Sequence, residues 1–119
     1  MYHQDWVMRQ IQILAQAIAK LVFNKDVISY EINDESNKTV TDELYLRLRA
    51  LLDENKINEA ETLLFDKMDS GNIDYLALAI DFYQKLNNLS DDELKERDFS
   101  REEIENGLNE VKNLFGIKL

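Results

Sequence analysis

The chain of 119 residues holds 14 Lys and Arg against 24 Asp and Glu, a formal charge of −10, and 45% of its positions are apolar. That is enough for one domain with its own core. With no cysteine and one histidine, disulfides, thiolate zinc sites, cysteine nucleophiles and multi-histidine metal centres are excluded, and so acidic a chain offers no basic face to nucleic acid.

The charge is uneven. Residues 1–26 carry Arg9, Lys20 and Lys25 against Asp5 and Asp26, for +1, so residues 27–119 carry −11. Three parts follow within a single domain: an apolar N-terminal helix at 1–25, an irregular connection at 26–40, and an acidic helical body at 41–119. In the first helix Val7, Ile11, Leu14, Ile18 and Leu21 form a stripe of helical period, which Ile13, Ala17 and Val22 widen. A face this broad is expected to meet two neighbours. Arg9, Gln10, Gln12, Gln16 and Lys20 interrupt it too often for a membrane span. Its lysines follow the apolar run, the reverse of a secretory signal, so the cytoplasm is the default location.

From Asp26 to Val40 the helical period is lost. Ile28, Tyr30 and Ile32 alternate briefly, which predicts an extended connection with a short strand-like piece. The second helix is expected to begin at Thr41 as N-cap, with Asp42 and Glu43 in its first turn, where negative charge is favoured. Leu44, Leu48, Leu51 and Leu52 form its core stripe. After a turn at 54–56, the third helix carries Ile57, Ala60, Leu63, Leu64 and Met68. It is predicted to stop at Gly71 in a left-handed conformation. The short turn makes these two helices antiparallel neighbours. The fourth helix follows from Asn72, with Leu76, Ile80 and Tyr83 on one stripe and Tyr75, Ala79, Phe82 and Leu86 on the next.

Two later starts are marked by capping boxes. Ser90 and Glu93, bracketed by Leu89 and Leu94, open a short fifth helix near 91–97. Ser100 and Glu103, bracketed by Phe99 and Ile104, open a sixth near 101–115. The sixth buries Ile104, Leu108, Val111 and Phe115 and stops at Gly116, with Ile117 placed for a Schellman contact. Gly107 inside it costs about 1 kcal/mol relative to alanine, which close approach of a neighbouring helix would explain, with a functional cleft as the lesser reading.

The helix pair from Leu44 to Met68, with Asn55-Lys-Ile-Asn-Glu-Ala-Glu61 at its bend and the small Ala60 on the second helix, resembles one tetratricopeptide-type hairpin. One repeat cannot make a solenoid. The expected fold is therefore all-α, a compact bundle of five or six helices around that hairpin, with the first helix packed across it or against a second copy. The whole chain also resembles a family of short acidic all-helical proteins of unknown function, mainly from Gram-positive bacteria. That likeness rests on Gln4-Asp5-Trp6-Val7-Met8-Arg9, on Asn58-Glu-Ala-Glu-Thr-Leu-Leu-Phe65, and on Phe99-Ser-Arg-Glu-Glu-Ile104 with Gly107 and Leu108. It implies a helical domain and no particular activity.

Catalytic chemistry finds little footing. Reading Asp66–Asp74 as a calcium loop with Gly71 in sixth place puts Met68, Ser70 and Ala77 where ligands are needed. Asp91, Asp92 and Glu93 are explained by the helix start they occupy, and Glu59, Glu61, Glu102, Glu103 and Glu105 fall on polar faces. His3 has no glycine-bracketed serine to activate, and three scattered glycines make no phosphate loop. No cofactor or metal is expected. The role that remains is a non-enzymatic protein interaction or adaptor module. Its candidate interface is Trp6, Val7, Ile11, Leu14 and Ile18, ahead of a concave groove beside the 44–68 hairpin that no exposed aromatic ladder marks, and its partner is another protein or a second copy of the chain. The acidic body would favour a basic protein partner. The alternative is a small hydrolase or cation-dependent enzyme using clustered carboxylates.

Overall fold

A computed structural model describes residues 2–119, with side chains from Asp5 onward. Six helices follow in order: α1 (Tyr2–Phe23), α2 (Val40–Asp53), α3 (Ile57–Lys67), α4 (Ile73–Asn87), α5 (Asp91–Glu96) and α6 (Arg101–Leu114). Helices α1, α4 and α6 pack against one another. Helix α2 lies on α4, and α3 folds back on α2 as the predicted antiparallel hairpin. The shortest extent is 21 Å, roughly two helix diameters.

Helix α4 is the shared element, and its composition explains why. Tyr75, Leu76, Leu78, Ala79, Ile80, Phe82, Tyr83 and Leu86 are all buried, an apolar arc wide enough to receive α1, α2 and α6 at once. The hairpin thus flanks the centre, and α1 packs across α4 and α6 instead of across the hairpin.

The helix ends bear out some of the expected caps and correct others. Both late capping boxes form: Ser90 Oγ accepts from the Glu93 N–H, and Ser100 Oγ accepts from the Glu103 N–H, each at 3.1 Å. Gly116 takes the left-handed conformation, and the Ile117 N–H returns to the Lys112 carbonyl. Helix α2, however, is capped by Thr39, not Thr41. Thr39 and Asp42 form a capping box, while Thr41 is buried with its hydroxyl against Thr39 and Tyr30. Helix α3 stops at Lys67, and Gly71 is not left-handed. The turn is made by Asp69, whose carboxylate accepts from the Gly71 N–H at 2.9 Å. Asn72 then caps α4 by accepting from the Asp74 N–H. The left-handed positions at the ends of α2 and α5 are Asn55 and Asp98, each inside a pair of Schellman-type backbone bonds.

The connection between α1 and α2 forms no strand among the described residues. An extended segment alone has no ladder partner, so α4 side chains supply one. Gln84 donates to the Ile28 carbonyl at 2.5 Å and accepts from the Ile28 N–H at 3.3 Å, and Asp81 accepts from the Tyr30 N–H at 3.2 Å. The alternation of Ile28 and Tyr30 thus records the face turned to α4.

Candidate functional site

The candidate interface residues separate into two sets. Val7, Ile11 and Ile18 are 3% exposed or less; with Ala15 and Ala19 they make the seam against α4 and α6, so they are core and cannot meet a partner. Leu14 is half-buried at the edge of that seam. Trp6 is 61% exposed, and it shares an outer face with Ile13 at 53% and Leu21 at 60%. At 100° per residue, Trp6, Ile13, Ala17 and Leu21 are centred roughly 120° around the helix from the core face. Helix α1 therefore does meet two neighbours, and it carries apolar surface that neither covers. Ile13 and Leu21 lie on this exposed outer face, although periodicity alone places them in the core face. Their angular separation from Val7, Ile11 and Ile18 was the available signal.

Arg9 and Lys20 border the outer face, and Gln10 and Ala17 lie within it, half-buried. The strip carries no carboxylate between Asp5 and Asp26, in contrast to the rest of the surface.

A second concave feature lies between α2 and α4. It has a volume of about 420 Å³, within the roughly 300–1,000 Å³ of small-molecule sites. Its floor is Leu48, Ile57, Leu78, Phe82 and Leu86, all 2% exposed or less. Leu52, expected in the core, is half-exposed on its wall. Arg49, Lys85 and Arg97 also line it. Lys85 Nζ is 2.9 Å from Asp81 and 4.8 Å from the centre of the Tyr45 ring. Burial pushes the Lys85 pKa down, but the hydrogen bond and charge of Asp81 outweigh it and leave the ammonium more firmly protonated than usual.

Three of the carboxylates singled out for chemistry have structural partners. Asp91 pairs with Arg101 at 2.6 Å, and Glu93 closes its capping box. Glu61 accepts a 2.6 Å hydrogen bond from the Tyr83 hydroxyl. Burial raises the Glu61 pKa, the Tyr83 bond opposes that, and the charges of Glu103 and Glu110 add to the rise. Among the described residues, no group of three or more His, Cys, Asp or Glu side chains is arranged to hold a metal ion. The side chain of His3 lies outside the described residues. No described helix is long and apolar enough to cross a membrane.

The architecture defines an all-helical domain whose distinguishing surfaces are an uncovered apolar helix face and an apolar cleft. The chain belongs to the family of unknown function DUF6483, whose model matches residues 1–116. No curated protein and no solved structure matches it.

Proposed function

We propose that the protein is a non-enzymatic interaction module that pairs with a second copy of itself through the outer face of α1, in the bacterial cytoplasm. The supporting observation is the exposure of Trp6, Ile13 and Leu21 along one line of a helix whose opposite side is already packed. The order of residues on that line is self-complementary. About a twofold axis between residues 13 and 14, an antiparallel copy sets Trp6 against Leu21, Gln10 against Ala17 and Ile13 against Leu14. Such reciprocity is what an isologous dimer requires. Charge favours the same surface, because two chains of net −10 repel each other least where the +1 segment of each meets the other. The hairpin α2–α3, tetratricopeptide-like in outline, lies outside this pairing.

Light scattering across a concentration series tests the proposal, since one helix-on-helix seam is at the small end of interface size and the dimer should dissociate on dilution. The expected result is a mass that rises toward twice the monomer, with Trp6 emission shifting to the blue as it does so. Ile13→Glu should hold the protein monomeric without lowering its melting temperature. A native chain that stays monomeric at high concentration, or a variant that still dimerises, would sink the proposal.

A further inference from the structure

We infer that the cleft between α2 and α4 is a binding site for a small amphipathic carboxylate, its apolar body on the Leu48, Leu78, Phe82 and Leu86 floor and its anionic head beside Arg49 at the rim.

Three observations carry this. The floor side chains are buried beneath a space of about 420 Å³ that no described side chain fills. Leu52 and Leu89 lie half-exposed on its walls, and apolar groups in that position gain from a guest that takes their surface out of water. The rim reverses the charge of the molecule. In a chain of net −10, the cleft is lined by Arg49, Lys85 and Arg97 against Asp53 and Asp81.

The three cations are not equivalent. Lys85 is held by Asp81 at 2.9 Å, and Arg97 reaches Glu93 at 3.7 Å. Arg49 makes no ion pair or hydrogen bond among the described residues. It is therefore the guanidinium free to take a carboxylate in a forked, charge-assisted contact. A neutral apolar guest would leave that preference unused, and a polyanion would meet Asp53 and Asp81. The complementary guest is a single carboxylate on an apolar body.

Decanoate is the probe, with decanol and acetate as its neutral and headgroup-only counterparts. The host is the Ile13→Glu chain, so that pairing through α1 does not enter. Amide and methyl NMR shifts on titration, below the concentration at which decanoate forms micelles, locate the site. Saturable shifts at Leu48, Leu78, Phe82 and Leu86 are expected, with decanol and acetate both binding more weakly. Arg49→Gln, at an exposed position, should weaken decanoate by about tenfold, as one charge-assisted contact implies, and leave decanol unchanged. Leu52→Glu should weaken decanoate further by placing a carboxylate on the wall. Equal affinity for decanol and decanoate would overturn the inference, as would shifts confined to the Trp6 face, no saturation, or an Arg49→Gln variant that binds decanoate as tightly as the native chain.

Discussion

The Arg101 guanidinium closes the end of α4 by donating to both oxygens of Asn87, the carbonyl at 2.7 Å and the side-chain amide oxygen at 3.2 Å. Its other terminal nitrogen donates to the Leu89 carbonyl at 3.0 Å and to Asp91 at 2.6 Å. The Asn87 amide in turn donates to the Met8 carbonyl, so one buried cation ties the starts of α5 and α6 to the end of α4, and through it to α1. Positive charge is favoured there because the last carbonyls of a helix lack partners within it.

Removing that cation should be costly. Arg101→Met leaves the Asn87 and Leu89 carbonyls without their donor, and a buried orphaned acceptor costs about 1–3 kcal/mol; a total loss of about 2–4 kcal/mol is expected from urea unfolding. Arg101→Lys should recover only part of it, since an ammonium lacks the planar fork that serves two carbonyls and a carboxylate together. A lysine variant as stable as the native chain would show that charge alone, without the fork, holds the junction.

Gly107 is required by Tyr83. A Cβ built at position 107 would stand 2.2 Å from the Tyr83 hydroxyl oxygen and 2.5 Å from the ring carbon that bears it. Tyr83 is fully buried and its hydroxyl is held by Glu61, so the ring cannot swing clear. Gly107→Ala gains helix propensity of about 1 kcal/mol but overpacks the α4–α6 contact, which typically costs about 1–3 kcal/mol. A net fall in melting temperature is expected. The double variant Gly107→Ala with Tyr83→Phe should relieve only part of it, because the ring carbons remain too close. Calorimetry of the four proteins in that cycle gives the coupling directly.

What the sequence made legible divides along physical lines. Short-range chemistry was readable: the boxes at Ser90 and Ser100 and the Schellman turn at Gly116 need only neighbours within a few residues. The missed helix start had the same kind of signal, since Thr39 stands three residues before Asp42, but Thr41 competed for the role and only the burial of Thr41 under Tyr30 decides it. Gly71 misled because Asp69 can build the turn through its carboxylate without a left-handed residue. For α1, periodicity identified an over-wide apolar helix, yet which arc of it is core depends on where α4 and α6 dock, and that is set by contacts distant in sequence. A groove beside the 44–68 hairpin was conceivable from sequence, but its lining was not legible, because Leu48, Leu52 and Ile57 meet Leu78, Phe82 and Leu86 only through the packing of α2 on α4.

The Tyr30–Asp42 contact makes stability depend on acid. Tyr30 donates to Asp42 at 2.6 Å, and that bond, helped by the Thr39 N–H, holds the Asp42 carboxyl below its usual value of 3.8. A depressed folded pKa contributes stability that is present above the unfolded value and lost as pH falls through the folded one. Tyr30→Phe removes the largest cause of the depression and should cost about 1–2 kcal/mol at pH 7. The gap between native and variant should narrow below pH 3.8. Denaturation at pH 7 and near pH 3 measures it; a gap that stays constant would mean that the hydroxyl acts on Thr41 instead of on the Asp42 charge.

Glu61 runs in the opposite sense. Its pKa is raised above 4.5, first by burial and then, against the pull of the Tyr83 hydroxyl, by the charges of Glu103 and Glu110. A carboxyl with a raised folded pKa favours the fold below the unfolded value, and that contribution is lost as pH rises through the folded one. At neutral pH the ionised Glu61 is therefore a burden that the fold accepts in order to give the buried Tyr83 hydroxyl an acceptor. Glu61→Gln keeps an acceptor and discards the charge, so it should be neutral or stabilising by up to about 0.5 kcal/mol at pH 7, the scale of a partly exposed position. That advantage should vanish by pH 4. Glu61→Leu discards both charge and acceptor, and leaving the hydroxyl unpaired should cost about 1–3 kcal/mol at either pH. Thermal melts of the two variants at pH 4 and pH 7 separate charge from hydrogen bond, and a Glu61→Gln chain that melts lower at pH 7 than the native one would show that the carboxylate stabilises the fold as an anion.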